Sequence, residues 1–539
     1  MLLGSSGGAP LNAPKLLLIK AHIEKPEGEA SAPSLGTLYL GATARAVGWD
    51  VRCIDTYLEA DPEGAIAAAL QIFPARVVGL SALTAESLSM HRFAQLVRRL
   101  APSVTILVGG PHASAEPEET ARNPAVDAVV IGEGEATLAE ILTRIQRGEG
   151  WDDVAGLTLR KSGHLNPVRT APRAMTADMD SLPMPAWDLT DIDAYAKRRG
   201  MSLAGIRRYV PISTSRGCPY RCTYCHDIHG KTFRGHSPAY VLKLVKDLRQ
   251  RFNVTSFDIT DDIFNWDPAR MLEICDGFVA EDADITFTLP NGVRGDRLKV
   301  EHVHKLADAG CEYVAIAIET VTPRLQKQIR KNLRFDKAMP VLAAFAERNV
   351  LTAGFFMLGF RTETEAEMRA TIDFALRSKL HTAFFFVVTP FGGTEMFNNV
   401  VDTLGAGATE LGGTGMYWRP KHNLSEVPDA KFTRIRQLAY LRFYADPRRI
   451  LRIWRAHPRK HDLVQYAWLT AFRDTLSIIP GTYLGPLRSG WRAVTRLVSR
   501  ARPAAEHTKQ GQRADDVTDV LAASALSQTA SAAPVAPAE

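Results

Sequence analysis

Short apolar segments alternate with amphipathic segments over the first 150 residues. The apolar segments are rich in Val, Ile and Leu and predict strands at 16–20, 51–55, 77–81, 105–110 and 128–132. The amphipathic segments between them predict helices at 36–48, 62–72, 84–100 and 135–147. Because apolar strands separated by helices are typical of a parallel sheet covered on both faces, residues 15–150 predict a doubly wound α/β domain.

Glycine, hydroxyl and acidic residues follow these strands at their carboxyl ends. A doubly wound sheet binds its ligand at that edge, and glycine allows the backbone to approach a ligand closely. The sequence therefore predicts a site for a large ligand near Ser81, Thr84, Gly109, Gly110, Pro111, His112, Gly132, Glu133, Gly134 and Glu135.

A second series of strands and helices follows a proline-containing linker, residues 151–209. Its predicted strands are 210–215, 254–260, 285–290, 312–319, 351–358 and 382–388, with helices at 238–251, 267–280, 299–309, 335–348 and 363–377. Six such units in one run predict a partial (β/α)6 barrel over residues 210–400, with its site at the carboxyl ends of the strands. Polar residues and a glycine follow the strands there, among them Asp262, Arg294, Glu319 and Gly359.

Composition changes sharply after the barrel. Residues 401–502 predict a helical basic extension, since residues 431–502 contain sixteen Lys and Arg against three Asp, in a chain whose formal net charge is only +6. No nucleic-acid reader motif accompanies the basic residues, so nucleic acid is not an expected partner. They form either a solvated helical face or a contact to anionic lipid or an acidic partner. Residues 503–539 predict a disordered tail and residues 1–14 a flexible start.

The overall composition, with 46% hydrophobic and 23% charged residues, is that of a globular protein. No signal peptide is visible, and no window provides the roughly 18 uncharged apolar residues of a spanning helix. Six cysteines are too few for a disulfide-stapled secreted scaffold. These features predict a protein of the reducing cytoplasm.

Three cysteines, Cys218, Cys222 and Cys225, lie on the loop after the first barrel strand. Their thiolates can converge on one metal centre, and if a four-iron cluster forms there, one iron is left open for an outside ligand. The alternative is a closed zinc site completed by His226 or His229. The remaining cysteines are expected in the core: Cys53, Cys275 and Cys311.

The spacing Cys218-x3-Cys222-x-Tyr224-Cys225 resembles the signature of the radical S-adenosylmethionine (SAM) enzymes. The resemblance implies that the cysteines hold a [4Fe-4S] cluster whose open iron chelates SAM. An electron from a donor such as flavodoxin or ferredoxin would then split SAM to a 5′-deoxyadenosyl radical.

Further positions resemble this family less perfectly. Glu319, in VAIAIET, is similar to its strand-end acidic residue, although Ala317 replaces a glycine and Thr320 a serine. Gly359 begins a segment similar to its glycine-rich piece, with Phe360-Arg361-Thr362 where Leu-Pro-Gly is common. Cofactor contacts are expected at Tyr224, Asp262, Arg294, Glu319 and Gly359, with an ion pair at the barrel rim as the alternative for Asp262 and Arg294.

The N-terminal domain resembles the cobalamin-binding domain that precedes the barrel in one large subgroup of these enzymes. The segments that carry this resemblance are 34–55, 79–84, 108–119, 127–137 and 182–189. It implies that the edge residues from Ser81 to Glu135 contact cobalamin. The domain has no Asp-x-His-x-x-Gly motif, an absence that is usual in this subgroup, and the resemblance implies that the domain's own side chains cover the lower face of cobalt. The resemblance implies that His112 contacts the corrin or its tail, with ligation of cobalt as the alternative.

These resemblances together imply a cobalamin-dependent C-methyltransferase with a small-molecule substrate: a secondary metabolite, a lipid or a tetrapyrrole. In that reaction the radical takes hydrogen from an unactivated carbon, methylcobalamin donates the methyl group, and a second SAM recharges the cobalt. Two alternatives stay open. One is an oxidative cyclase of the anaerobic magnesium-protoporphyrin ester type, and the other is a non-catalytic corrinoid sensor or carrier.

Overall fold

The computed structural model describes residues 12–22, 31–161, 163–281, 284–404 and 423–463. Most of the expected flexible start lies outside the described residues. The expected tail at 503–539 lies entirely outside them. Only residues 401–404 and 423–463 of the expected basic extension are described. No helix of the described ranges is long and apolar enough to cross a membrane.

The first sheet has seven strands in the order β2-β1-β3-β4-β5-β6-β7. They are β1 (Lys15–Lys20), β2 (Asp50–Asp55), β3 (Val77–Ser81), β4 (Thr105–Gly109), β5 (Ala128–Val130), β6 (Leu157–Leu159) and β7 (Val168–Arg169). The helices are α1 (Leu35–Ala46), α2 (Pro62–Ile72), α3 (Ser87–Leu100), α4 (Pro111–Ala115), α5 (Pro117–Ala121) and α6 (Glu135–Arg147). Strands β1 to β5 are parallel, which confirms the doubly wound domain.

The first domain's sheet extends beyond the boundary expected at residue 150. Strand β6 pairs antiparallel with β5, and β7 pairs antiparallel with β6, so the linker begins as part of the sheet. Both strands are very short and lack a periodic apolar pattern, which is why sequence patterning missed them. Beyond β7 the linker contains one short helix, α7 (Ile192–Ala196), and two 3₁₀ turns, Met179–Ser181 and Trp187–Leu189.

The second large sheet contains six parallel strands in the order β15-β14-β13-β12-β11-β8, with β8 and β15 at its two ends. The strands are β8 (Tyr209–Ile212), β11 (Ser256–Ile259), β12 (Thr286–Val293), β13 (Cys311–Glu319), β14 (Leu351–Leu358) and β15 (Thr382–Val387). The helices are α8 (Pro238–Phe252), α9 (Pro268–Ala280), α10 (Val300–Asp308), α11 (Pro323–Gln328), α12 (Phe335–Glu347) and α13 (Glu365–Arg377). The predicted partial barrel is confirmed.

Successive side chains along each strand point alternately to the helix-covered outer face of the barrel and into its lumen. Ile316, Phe356 and Phe385 belong to the main core, which they share with the surrounding helices. Inside the barrel, Arg207 forms a fully buried ion pair with Asp258. Thr288 donates a hydrogen bond of 2.6 Å to the same carboxylate. The lumen therefore contains this paired polar network together with a buried apolar cluster that includes Tyr313, Leu351 and Ala456.

The described part of the C-terminal extension is helical, as expected, and packs on the barrel. It contains α14 (Glu395–Leu404), α15 (Asp429–Tyr444), α16 (Pro447–Ala456) and a 3₁₀ turn, Lys460–Asp462. The hydroxyl of Tyr440 on α15 accepts a hydrogen bond from the backbone N–H of Phe385. After α16, Arg459 reaches Glu312 at 2.9 Å and Asp462 accepts the N–H of Ile206. The extension thus closes the amino-terminal end of the barrel.

Arg449 on α16 holds this extension through backbone carbonyls. Its side chain is fully buried and donates hydrogen bonds to the carbonyl oxygens of Leu376 and Leu380. Its guanidinium lies 3.7 Å from the ring centre of Phe443. Burial, with a smaller contribution from Arg452, lowers the pKa of Arg449 to about 10.

We expect Arg449→Met to destabilise the protein by about 2 to 4 kcal/mol, because two buried carbonyls lose their donor. The matched control is Arg448→Met, since Arg448 is exposed and adjacent, and its effect should stay within about 0.5 kcal/mol. Denaturant unfolding followed by circular dichroism measures both. Equal stability of the two variants would show that burying the guanidinium costs as much as its hydrogen bonds return.

Candidate active site

The three clustered cysteines lie on one closed loop, residues 217–233, named here the cysteine loop. It leaves strand β9 (Ser215–Arg216) and returns through β10 (Arg234–Gly235). The two strands pair antiparallel, with Arg216 opposite Arg234. The loop therefore begins and ends at one point beyond the carboxyl end of β8.

Gly217 allows the loop to close tightly. Its φ is +83°, and a Cβ at this position would lie 2.2 Å from the carbonyl oxygen of Thr232. Further along, Cys218 N–H donates to Gly230 at 3.3 Å, and Cys225 N–H donates to Cys222 at 3.1 Å. The backbone thus folds the cysteines into one compact turn that only glycine permits at its start.

The thiols of the loop interact electrostatically. Although Cys225 is exposed at the loop surface, the surrounding loop partly desolvates its thiol, and this desolvation together with the thiol of Cys222 raises the pKa of Cys225. Burial also raises the pKa of Cys218, and Cys222 again adds to the shift. Three neighbouring thiols without a fourth cysteine in the loop fit a four-iron cluster that leaves one iron to an outside ligand.

The two histidines of the zinc alternative are engaged by Asp262. His229 Nδ1 lies 2.9 Å from Asp262 Oδ2, and His226 Nε2 lies 3.7 Å from Oδ1. Asp262 also accepts the N–H of Gly217 at 2.9 Å. Although burial opposes ionisation, these neighbours, His229 first, lower the pKa of Asp262 to about 2. Over the described ranges, no group of three His, Cys, Asp or Glu side chains is arranged to hold a single metal ion such as zinc.

Arg294 supports the loop from the neighbouring strand end. Its guanidinium lies 3.9 Å from the ring centre of Tyr220, inside the cysteine loop. The same group pairs with Asp296 at 2.8 Å and donates to the carbonyl oxygen of Lys331 at 2.9 Å. Asp262 and Arg294 therefore do not pair with each other at the barrel rim: Asp262 pairs with His229, and Arg294 forms an ion pair with Asp296.

Tyr224 connects the loop to the end of β13. Its hydroxyl donates to Glu319 Oε1 at 3.0 Å, and Lys331 Nζ lies 3.4 Å from the same oxygen. Glu319 is buried with φ at +68°, a backbone conformation that non-glycine residues rarely adopt. Such strain occurs often at functional sites. Sequence reasoning missed Lys331, which lies in a polar turn without a distinguishing pattern.

Gly359 begins a tight turn after β14, with φ at +95°. Its N–H and that of Phe360 both donate to Glu363 Oε2, at 2.6 and 3.0 Å. The other oxygen of this carboxyl, Oε1, is buried without a hydrogen-bond partner. Burial raises the pKa of Glu363 to about 7.

In the first domain, the expected edge residues come together at the carboxyl ends of β3, β4 and β5. Gly110 has φ at +89°, and a Cβ there would lie 2.5 Å from Ser81 Oγ. Gly132 has φ at +74°, and a Cβ there would enter open space. The remaining members follow the same strand ends: Thr84 begins a 3₁₀ turn, Gly109 ends β4, Pro111 begins α4 and Gly134 precedes α6. Bare backbone beside open space fits a large planar ligand.

His112 lies buried at this edge. Its ring centre lies 6.3 Å from that of His91, and its Nδ1 has no hydrogen-bond partner. Burial, with a contribution from His91, lowers the pKa of His112 to about 4, so the ring is neutral near pH 7.

Glu133 and Glu135 point toward the barrel. Glu133 forms a two-pronged ion pair with Arg234, with distances of 2.7 and 3.0 Å. Glu135 pairs with Arg216 at 2.6 Å. The structure therefore joins two expected ligand contacts of the first domain to the neck of the cysteine loop. Sequence reasoning missed both arginines.

Two family models match the two domains in order. The B12-binding domain matches residues 27–142, and the Radical SAM superfamily matches residues 212–375. The chain is a radical SAM protein with a B12-binding domain. The expected cofactors, a [4Fe-4S] cluster, SAM and cobalamin, are thereby confirmed.

Similar proteins include methyltransferases and a cyclase. An uncharacterized methyltransferase of Pyrococcus horikoshii is 29% identical over 78% of this chain and 90% of its own length. Cytidylyl-2-hydroxyethylphosphonate methyltransferase of Streptomyces wedmorensis is 25% identical over 68% of this chain and 77% of its own length. The anaerobic magnesium-protoporphyrin IX monomethyl ester cyclase of Synechocystis is 23% identical over 68% of this chain and 72% of its own length.

Two solved structures share the fold of this radical SAM protein. The methyltransferase TsrM from Kitasatospora setae, with cobalamin and a [4Fe-4S] cluster bound, has a TM-score of 0.62 at 18% identity, covering 72% of this chain and 78% of its own. The cobalamin-dependent SAM radical enzyme OxsB has a TM-score of 0.65 at 16% identity, covering 96% and 82%.

The buried carboxyl of Glu363 predicts a pH dependence of stability. The pKa is 4.5 for an ordinary Glu and about 7 for this residue, so between these values the folded state keeps a proton that the unfolded state releases. Stability from this group is therefore present at low pH and is lost as pH rises toward 7. Relative to Glu363→Gln, the wild type should lose about 1 to 3 kcal/mol between pH 4.5 and 7.

Thermal unfolding of both proteins across this pH range measures the difference. Glu347→Gln, on an exposed surface of α12, is the control and should follow the wild type at every pH. A constant difference between wild type and Glu363→Gln would mean that the buried carboxyl does not titrate in this range.

Proposed function

We propose that this radical SAM protein is a cobalamin-dependent C-methyltransferase that acts on a small molecule. The observation that carries the proposal is the three-thiol loop, which the structure joins directly to the glycine-turn edge of the B12-binding domain. Three findings support it: this chain's own B12-binding and Radical SAM domains, two relatives that are named methyltransferases, and a fold shared with TsrM.

In this proposal Cys218, Cys222 and Cys225 bind the cluster. When bound, SAM at the cluster supplies a hydrogen-abstracting radical, and cobalamin supplies a methyl group. Tyr224 and Glu319 fix the third cysteine against β13.

Other residues position the loop and the cofactors around it. Asp262 holds the cysteine loop at Gly217 and His229, and Arg294 packs on Tyr220. Gly359 presents a bare backbone turn at the same rim. The glycine turns at Gly110 and Gly132 hold cobalamin, and neutral His112 lies beside it.

The partners follow from this chemistry. The cluster needs an electron donor such as flavodoxin or ferredoxin, and we propose the reducing cytoplasm as its location because the described cysteines are free thiols. The substrate is a secondary metabolite, a lipid or a tetrapyrrole.

The alternative reaction is oxidative ring formation, favoured by the similarity to the Synechocystis cyclase. Products distinguish the two, because a methylase forms both 5′-deoxyadenosine and S-adenosylhomocysteine, whereas a cyclase forms only the first. Anaerobically reconstituted protein with dithionite, SAM and candidate substrates tests this. Failure to form any 5′-deoxyadenosine would contradict both enzymatic reactions and favour the alternative of a non-catalytic corrinoid sensor or carrier.

We expect Cys222→Ala to abolish both the cluster absorbance and SAM cleavage, because two thiolates cannot hold the cluster on this loop. Cys275→Ala is the control: this cysteine is buried on α9, so the variant should keep the cluster and lose only about 1 kcal/mol of stability. Visible absorbance and 5′-deoxyadenosine formation measure both effects. Retained cleavage in Cys222→Ala would contradict the ligand assignment.

We also propose that helix α16 contacts an anionic lipid surface. Three large apolar side chains of this helix are about half exposed: Ile450 at 53%, Leu451 at 46% and Trp454 at 52%. Arg448 and Arg455 are exposed on the same helix. Apolar side chains flanked by arginines are typical of helices that lie in a membrane interface.

The full chain should therefore sediment with vesicles of phosphatidylcholine and phosphatidylglycerol, and less with phosphatidylcholine alone. Trp454→Glu should weaken this binding, whereas Leu165→Ser, at another exposed apolar position, should not. Equal binding of wild type and Trp454→Glu would refute the lipid contact. Binding that is independent of the anionic lipid would refute the electrostatic part.

A further inference from the structure

Four buried charges join the two domains at the neck of the cysteine loop. They are Glu133 and Glu135 from the B12-binding domain and Arg216 and Arg234 from the barrel, named here the interdomain quartet. Each of the four side chains is at most 9% exposed. Two positive and two negative charges balance, which is the condition under which charged groups can be buried.

The contacts within the quartet form one continuous network. Arg216 lies 2.6 Å from Glu135 and 3.4 Å from Glu133, and its guanidinium also lies 5.1 Å from the ring centre of Tyr39. Arg234 pairs with Glu133 through both carboxylate oxygens. Glu133 therefore bridges the two arginines, and planar two-pronged pairs of this kind fix orientation as well as distance.

On the barrel side, both arginines lie at the neck of the cysteine loop. They face each other in the β9–β10 ladder, where the loop begins and ends. Arg216 immediately precedes Gly217 and Cys218. Arg234 also donates to the carbonyl oxygen of His229 within the loop, at 2.8 Å. Movement of either guanidinium would thus move the segment that carries the first cysteine.

On the other side, both glutamates belong to the glycine-turn edge. They flank Gly134, directly after Gly132, and Glu135 is the first residue of helix α6. Glu133 also accepts the backbone N–H of Thr176 in the linker, at 2.9 Å. The carboxylates are therefore held by the first domain and its linker, not by the barrel alone.

We infer that the interdomain quartet sets the distance between the cysteine loop and the corrinoid-binding edge. Its members are positioning residues: Glu133 and Glu135 act through the arginines on the cluster ligands. This inference rests on the proposed function, because it requires both cofactors to bind. It differs from the role that the family resemblance implies for the two glutamates, which is direct contact with cobalamin.

The test removes the negative charges and measures the distance directly. Glu133→Gln, Glu135→Gln and the double variant are loaded with cobalamin and a reconstituted cluster. Pulsed electron paramagnetic resonance between the reduced cluster and cob(II)alamin then gives the distance distribution. We expect a broader or shifted distribution in the double variant, with both cofactors still bound by absorbance. The matched control is Glu140→Gln, because Glu140 lies with Glu135 on helix α6 but pairs with Arg144 and Arg173. The distance distribution of this control should match that of the wild type.

A charge-balanced variant covers the case in which a single substitution prevents folding. Glu135→Gln leaves Arg216 without its shortest ion pair, whereas Glu135→Gln combined with Arg216→Gln removes both charges. If the quartet acts as proposed, the combined variant folds at least as well as Glu135→Gln and still shows a broadened distribution. A distribution as narrow as the wild type's would refute the inference.

The remaining outcomes separate this inference from the proposed function. If the double variant keeps the cluster but loses cobalamin, the glutamates are cobalamin contacts and the positioning role is wrong. If wild type and double variant give the same distribution with both cofactors bound, only the positioning role fails. If the wild type itself binds no cobalamin or no cluster, the proposed function fails, and the inference with it.

Discussion

In a parallel sheet, every strand ends at the same edge, and both large sheets of this protein contain parallel strands in an unbroken series. The residues that follow the strands are therefore collected at one edge in each domain. In the first domain this edge carries the turns at Gly110 and Gly132, and in the barrel it carries the cysteine loop, Glu319 and Gly359. Chemistry that needs both edges can occur only if they face each other, so the arrangement of the two domains is the decisive requirement.

The cysteine loop cannot keep its position relative to the first domain by its own backbone pairing alone. Only two residue pairs of β9 and β10 close it, and a two-residue ladder is too short to be stable alone. Side-chain pairs supply the rest: Asp262 with His229 at one strand end, and Tyr224 with Glu319 at another. Each connects the loop to a different barrel strand. The interdomain quartet is the corresponding connection to the other domain, and together these pairs leave the loop little freedom to shift.

The fold could be predicted from sequence almost completely because its strands and helices carry strong periodic patterns. Strand β14 and helix α6 have the bounds, or nearly the bounds, that periodicity indicates. The short antiparallel strands β6 and β7 could not be found, since two or three residues contain no period. The cysteines were evident from spacing alone. Lys331, Arg216 and Arg234 were not, because an arginine or lysine in a loop looks the same whether it is solvated or buried in an ion pair.

Departures from the family pattern also acquire a physical meaning in the structure. The radical SAM family commonly has glycine where this chain has Thr362, and Thr362 adopts φ of +65°. This left-handed conformation costs a β-branched residue about 1 to 2 kcal/mol, which explains the preference for glycine. Here Arg324 donates to both Thr362 Oγ1 and its carbonyl oxygen, at 3.0 and 2.7 Å, and pairs with Glu367 at 2.6 Å. These hydrogen bonds offset the strain and keep the turn after Gly359 in the shape that glycine would otherwise provide.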